Sequence, residues 1–171
     1  NHRLATMARS GDPVATFALA HKMFSRGNFP LFFQYSLAAA TGGFAASQSD
    51  VSWVYRSQRD RGSQFGFDFG TERQIEKAMM WAQRAAENDD IRATHWLAQV
   101  AAGMAGPEYG AFTDAKRGLR LFNAAADRGN AQALVELGEI YLGGSPQFGQ
   151  EKDAAKAMSY FRRAIDQGSA F

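Results

Sequence analysis

The sequence predicts an all-α fold, a right-handed α-solenoid of stacked antiparallel helix pairs, on three observations. The stretch GPEYGAF (106–112) returns about forty residues later as SPQFGQE (145–151). Each copy is followed by a segment with apolar residues three and four apart: Leu121, Phe122 and Ala125 in one, Tyr160, Phe161 and Ala164 in the other. Both segments close on a glycine, Gly129 and Gly168, the residue that adopts a left-handed helix cap at least cost.

Upstream of each loop lies a matching first helix. ATHWLAQVA (93–101) aligns with ALVELGEIY (133–141), pairing Ala93 with Ala133, Leu97 with Leu137, Ala98 with Gly138 and Val100 with Ile140. SQSDVSWVY (47–55) and ATFALAHKM (15–23) are more worn copies. Closing caps fall at Gly11, Gly43, Asn88, Gly129 and Gly168, with Asn88 standing in as the next most tolerant residue for positive φ. The period drifts between about 32 and 45 residues, as expected of a helical repeat array with variable loops. The units are a partial one at 1–11, then 12–43, 44–88, 89–129 and 130–168.

Helix starts agree with these boundaries. Asp12-Pro13 reads as N-cap and first helical position. Thr71 with Gln74 reads as a capping box. Thr113 or Asp114, and Asp153, stand where the last two second helices should begin. A lone hairpin cannot bury its apolar stripe, so neighbours must stack. Small residues at Ala20, Ser52, Ala98 and Gly138 then allow close approach, and Leu19, Val51, Leu97 and Leu137 fill the space between layers.

The last unit resembles a Sel1-like repeat at Ala133, Leu137-Gly138, Tyr141, Gly144, Asp153, Lys156-Ala157, Tyr160 and Gly168. EKAMMWAQRAAEN (76–88) fits the second helix of the same pattern, the unit at 93–129 fits fairly, and the first unit poorly. The long, variable loops argue against a tetratricopeptide array with its strict 34-residue period. The chain begins and ends inside the repeat pattern, which leads to the expectation of a segment from a longer array or protein, or of end helices that serve as caps. The resemblance implies a non-enzymatic scaffold or adaptor for a protein or peptide partner, of the kind found in membrane-associated complexes and secretion. It leans towards a bacterial periplasmic or secreted location over a cytoplasmic one. Two other roles are an immunity or inhibitor protein that neutralises a bacterial effector enzyme, and a glycan- or cell-wall-binding repeat domain.

A stacked array presents a concave surface. By periodicity the residues off the buried stripe of each first helix face it: Phe17 and His21; Asp50 and Trp53; His95, Trp96 and Gln99; Glu136 and Glu139. The plain reading is a solvated helix surface. Trp53 and Trp96 are either core residues or partner anchors, since exposed Trp is favoured in interface hot spots. The loop RDRGSQFGFDFGTERQ (59–74) alternates Phe65, Phe67 and Phe69 with Gly and Asp, a spacing unsuited to a helix. Its rings either tuck onto adjacent helices, as expected of Tyr109 and Phe148 at matching loop places, or wait for a partner, with Phe67 and Phe69 the candidates.

Composition narrows the chemistry. The 171 residues are 46% hydrophobic and 21% charged, with no cysteine, which excludes disulfides, a thiol nucleophile and Cys-bearing zinc sites. A net charge of +2 is too small for a nucleic-acid face, and Arg56, Arg59 and Arg61 stand beside Asp60 and Asp68. No stretch has the roughly 20 apolar residues that membrane insertion requires. Histidines 2, 21 and 95 lack partners at ligand spacing, so no metal is expected. No phosphate loop, dinucleotide fingerprint or catalytic grouping exists, DFG at 68–70 stands without the rest of a kinase, and no cofactor is expected. Glu136 and Glu139 share a helix face, which is ordinary for a charged helix surface.

Overall fold

The computed structural model describes residues 2–61 and 74–168. Among them the regular structure is helical, apart from one isolated bridge between Ser145 and Gln150. The chain divides into two compact units, Asn1–Asp90 and Ile91–Phe171.

The first unit holds α1 (His2–Arg9), α2 (Pro13–Ser25), α3 (Phe29–Thr41), α4 (Ala45–Arg61) and α5 (Gln74–Glu87), each packed on the next. Asp12 caps α2 by accepting hydrogen bonds from the N–H groups of Val14 and Ala15, and Pro13 opens the helix where its missing N–H costs nothing. Asn28 caps α3 through the Leu31 N–H. Thr71 and the Phe65–Phe69 run lie outside the described residues.

The core of this unit mixes apolar and polar groups. Phe32, Val51, Val54, Ala78 and Ala82 are buried, and so are Ser36, Ser47, Gln48, Asp50 and Ser52. Most of the polar ones meet a partner. Ser52 Oγ donates to the Ala78 carbonyl at 2.8 Å, tying α4 to α5. Gln48 donates to the Ala40 carbonyl at 3.2 Å and accepts from the Asn88 amide at 3.0 Å. Ser36 and Ser47 hydroxyls have no partner among the described residues. Tyr55 stands edge-on to Phe33, and burial pushes its phenol above the ordinary value.

The second unit holds α6 (Ile91–Ala101), α7 (Ala115–Asp127), α8 (Ala131–Gly143) and α9 (Ala154–Asp166), paired α6 with α7 and α8 with α9. Asp114 caps α7, Asn130 caps α8 and Asp153 caps α9, each accepting from the N–H three residues on. The echoing loops fold alike. Each makes a short 3-10 turn, Pro107–Phe112 and Pro146–Phe148, and buries one ring, Tyr109 or Phe148. Each then returns the same clasp, Asp114 N–H to the Ala101 carbonyl and Asp153 N–H to the Tyr141 carbonyl, both at 2.8 Å.

The core here is almost wholly apolar: Ala98, Phe122, Ala125, Leu134, Leu137, Ala157 and Ala164. Small residues set the helix approach. A Cβ on Gly118 would sit 2.9 Å from the Ala102 backbone nitrogen, and one on Gly138 would land on the Phe161 ring. Tyr141 and Tyr160 stack at 5.7 Å, with Lys156 Nζ 4.0 Å from the Tyr141 ring centroid.

The second helices close with one device. The residues after Gly11, Gly43 and Gly129 return their N–H to the carbonyl five back, Met7, Ala39 and Ala125. At the fourth closure Asp89, not Asn88, takes the positive φ of 67°, and Asp90 N–H bonds the Ala85 carbonyl. The sequence expectation was one residue early. In NDD the middle residue aligns with glycine, and Asp reaches this region almost as readily as Asn.

Candidate interaction face

The repeat register pairs the candidate residues in a specific way. Asp50, Trp96 and Glu136 are equivalent, one place before the Val51, Leu97 and Leu137 core position; His21, Gln99 and Glu139 are equivalent, two places after it. In each unit the acid of one first helix reaches back to the preceding first helix. Asp50 Oδ2 on α4 meets His21 Nε2 on α2 at 2.8 Å. Glu136 on α8 meets two groups of α6, accepting from Gln99 Nε2 at 2.8 Å on one oxygen and meeting His95 Nε2 at 2.7 Å on the other. These contacts brace first helix to first helix, with charge-assisted geometry that neutral pairs lack.

The periodicity placed these side chains on an open surface, and the structure corrects that for several. Asp50 and His95 are buried. Glu136 is only 15% exposed. Trp96 is core, standing edge-on to Tyr109 of its own loop at 5.6 Å. The reason is that an acid can be sunk when a partner on the next layer satisfies it, which a single-helix pattern cannot display. Gln99 is half-buried and Glu139 is exposed. Phe67 and Phe69 lie outside the described residues.

Around the first brace the surface stays partly open. His21 is 47% exposed although its Asp50 partner is not. Phe17 lies 4.3 Å from the His21 ring and 5.0 Å from Phe44; Phe32 stands edge-on to His21 at 6.0 Å. Phe24, itself exposed, stands edge-on to Phe29, Phe32 and Trp53. Trp53 is half-buried. The sequence analysis included Phe17, His21 and Trp53 but missed Phe24, which continues the Phe17–His21 stripe at the next helical step. Among the described residues no group of three or more His, Cys, Asp or Glu could hold a metal ion, and no helix is long and apolar enough to cross a membrane.

Short hairpins closed by glycine, with a ring-bearing loop between the helices, define a class of helical repeat protein. The Sel1 repeat family matches residues 56–90, 91–130 and 131–169, and the chain belongs to it. Solved structures agree on the fold. A Sel1 repeat protein from Oxalobacter formigenes matches with a TM-score of 0.74 at 21% identity, over 95% of this chain and 62% of that one. A protective antigen of uropathogenic Escherichia coli with an SLR fold matches with a TM-score of 0.72 at 22% identity, over 97% of this chain and 33% of that one. A sel1 repeat protein from Klebsiella pneumoniae subsp. pneumoniae matches with a TM-score of 0.59 at 23% identity, over 97% and 73%. The chain thus spans less than two thirds of the first two. Among curated proteins none matches. Sel1 repeats commonly mediate protein–protein interaction and are generally non-enzymatic scaffolds.

Proposed function

We propose that this chain is a non-enzymatic interaction module that holds a protein or peptide partner on the first-helix face of its first unit, formed by α2 and α4. The observation that carries the reading is the open aromatic set around the first brace: Phe24 and His21 are exposed and both pack on the buried Phe32, and the half-buried Trp53 packs on Phe24. Rings pre-fixed by packing lose little entropy on binding, and aromatic anchors of this kind supply most of the energy in many interfaces. Asp50 serves as the positioning residue that fixes the His21 ring.

The test is affinity capture from the native host with wild type and with a Phe24→Ala, Trp53→Ala double variant, after circular dichroism shows both to be equally helical. Partner recovery should fall at least about tenfold, the loss expected when two hot-spot rings are truncated. Equal recovery by the two chains rejects the aromatic anchor.

A further inference from the structure

The contact between Asp50 and His21 leaves one nitrogen of the imidazole unused. Asp50 is buried, and an ionised carboxylate only accepts hydrogen bonds. The proton between them, across 2.8 Å, therefore sits on His21 Nε2. In the neutral ring Nδ1 then keeps a lone pair and is an acceptor. It meets no partner among the described residues, and the His21 side chain is 47% exposed. Rings frame it: Phe17 lies 4.3 Å from the His21 ring, Phe32 stands edge-on at 6.0 Å, and the exposed Phe24 follows at the next helical step. The charges of this region are mostly of one sign. Residues 13–57 carry three cations, Lys22, Arg26 and Arg56, and one acid, Asp50, which His21 already engages. Of the helices packed on α2, α3 brings no charge and α1 brings Arg9 in its last turn.

We propose, in a step that rests on the interaction face assigned above, that this face takes a tyrosine or tryptophan side chain of the partner, whose O–H or indole N–H donates to His21 Nδ1. The occupant follows from what the other side chains would do there. An aliphatic group or a phenylalanine suits the rings but strips water from the Nδ1 lone pair and gives nothing back. A carboxylate sets its own lone pairs against that of Nδ1. A lysine or arginine can donate, but it approaches a region of excess positive charge whose one acid is engaged. A neutral ring with a donor at its tip satisfies both the Phe17–Phe24 stripe and the acceptor. His21 is thereby the specificity-determining residue, with Asp50 fixing which nitrogen faces the partner.

The experiment selects a random displayed-peptide library on the full chain at about pH 8, where histidine is neutral. Enriched peptides are then titrated by fluorescence anisotropy. They should share a tyrosine or tryptophan, and replacing it with phenylalanine should weaken binding about tenfold, because Nδ1 is left unpaired. Lowering the pH to about 5 should weaken binding by a similar factor, since the protonated ring turns Nδ1 into a donor. His21→Leu should remove both the pH dependence and the discrimination against phenylalanine. On the wild-type chain, imidazole 15N shifts should place the proton on Nε2 and show the Nδ1 resonance moving when peptide is added. Peptides without either ring, equal binding of the phenylalanine peptide, or acidic peptides that bind more tightly at low pH each overturn the proposal, as does a library that enriches nothing. Binding lost in the Phe24→Ala, Trp53→Ala double variant but untouched by His21→Leu overturns the role of Nδ1 and keeps the aromatic face. Binding indifferent to all three substitutions overturns both.

Discussion

The two units place an acid at the same repeat position and use it for the same mechanical purpose, but they surround it differently. In the second unit Glu136 is spent on two partners, His95 and Gln99, and the assembly is closed. In the first unit Asp50 meets His21, whose outer half stays in water within a set of phenylalanines and Trp53. The core chemistry diverges in parallel: serines and glutamine in the first unit, alanine, leucine and phenylalanine in the second. A repeat position therefore fixes what a residue does to the stack, while its neighbours decide whether any of it is left for a partner. The closed brace is a stability element; the open one can be both.

The largest expected difference tests that division. Glu136→Ala leaves a buried imidazole and an amide without their acceptor and should cost about 3 kcal/mol by denaturant unfolding. Asp50→Ala should cost only about 1 kcal/mol, because water can reach the exposed half of His21. Equal costs would erase the distinction between closed and open. Next comes Gly138→Leu, which forces the Phe161 ring aside in the apolar unit and should cost about 2 kcal/mol; a wild-type melting curve would show that the close α8–α9 approach is not needed.

Smaller and opposite in sign is Ser47→Ala in the polar unit. Ser47 occupies the place of Ala15, Ala93 and Ala133, and its buried hydroxyl has no partner among the described residues, so its removal should stabilise by about 1 kcal/mol. A destabilised variant would mean that the hydroxyl is satisfied. The smallest effect is alkaline. Burial raises the Tyr160 phenol, against the lowering influence of Lys156 and Arg163. The folded state thus holds the proton more tightly than the unfolded one. Its stabilising contribution is complete below about pH 10 and is lost as pH rises through the raised folded value. Tyr160→Phe should flatten the alkaline limb of a stability–pH curve, and an unchanged slope would remove Tyr160 from that account.

Much of the architecture is legible in the residues themselves. Asp12, Asp114 and Asp153 announce helix starts because a short carboxylate beside free N–H groups acts locally. The glycine closures and the loop rings Tyr109 and Phe148 are equally local, and repetition makes them visible twice. The face residues were only partly legible. Periodicity identified His21, Asp50, Trp53, His95, Gln99 and Glu136 as a set, but read them as one open surface. Their pairing spans 29 to 41 residues, and one-helix periodicity carries no information about what the adjacent layer supplies.

The sequence alone determined the all-helical repeat, its period, its Asp helix starts, its glycine closures and its small-residue seams, since each depends on backbone sterics and hydrogen bonding within a few residues. Tertiary structure decided which polar side chains sink and which stay wet. It sent Trp96 into the core and left Phe24 and His21 outside, because burial of a polar or aromatic group is settled by the shape and hydrogen-bonding capacity of its neighbour in the next layer.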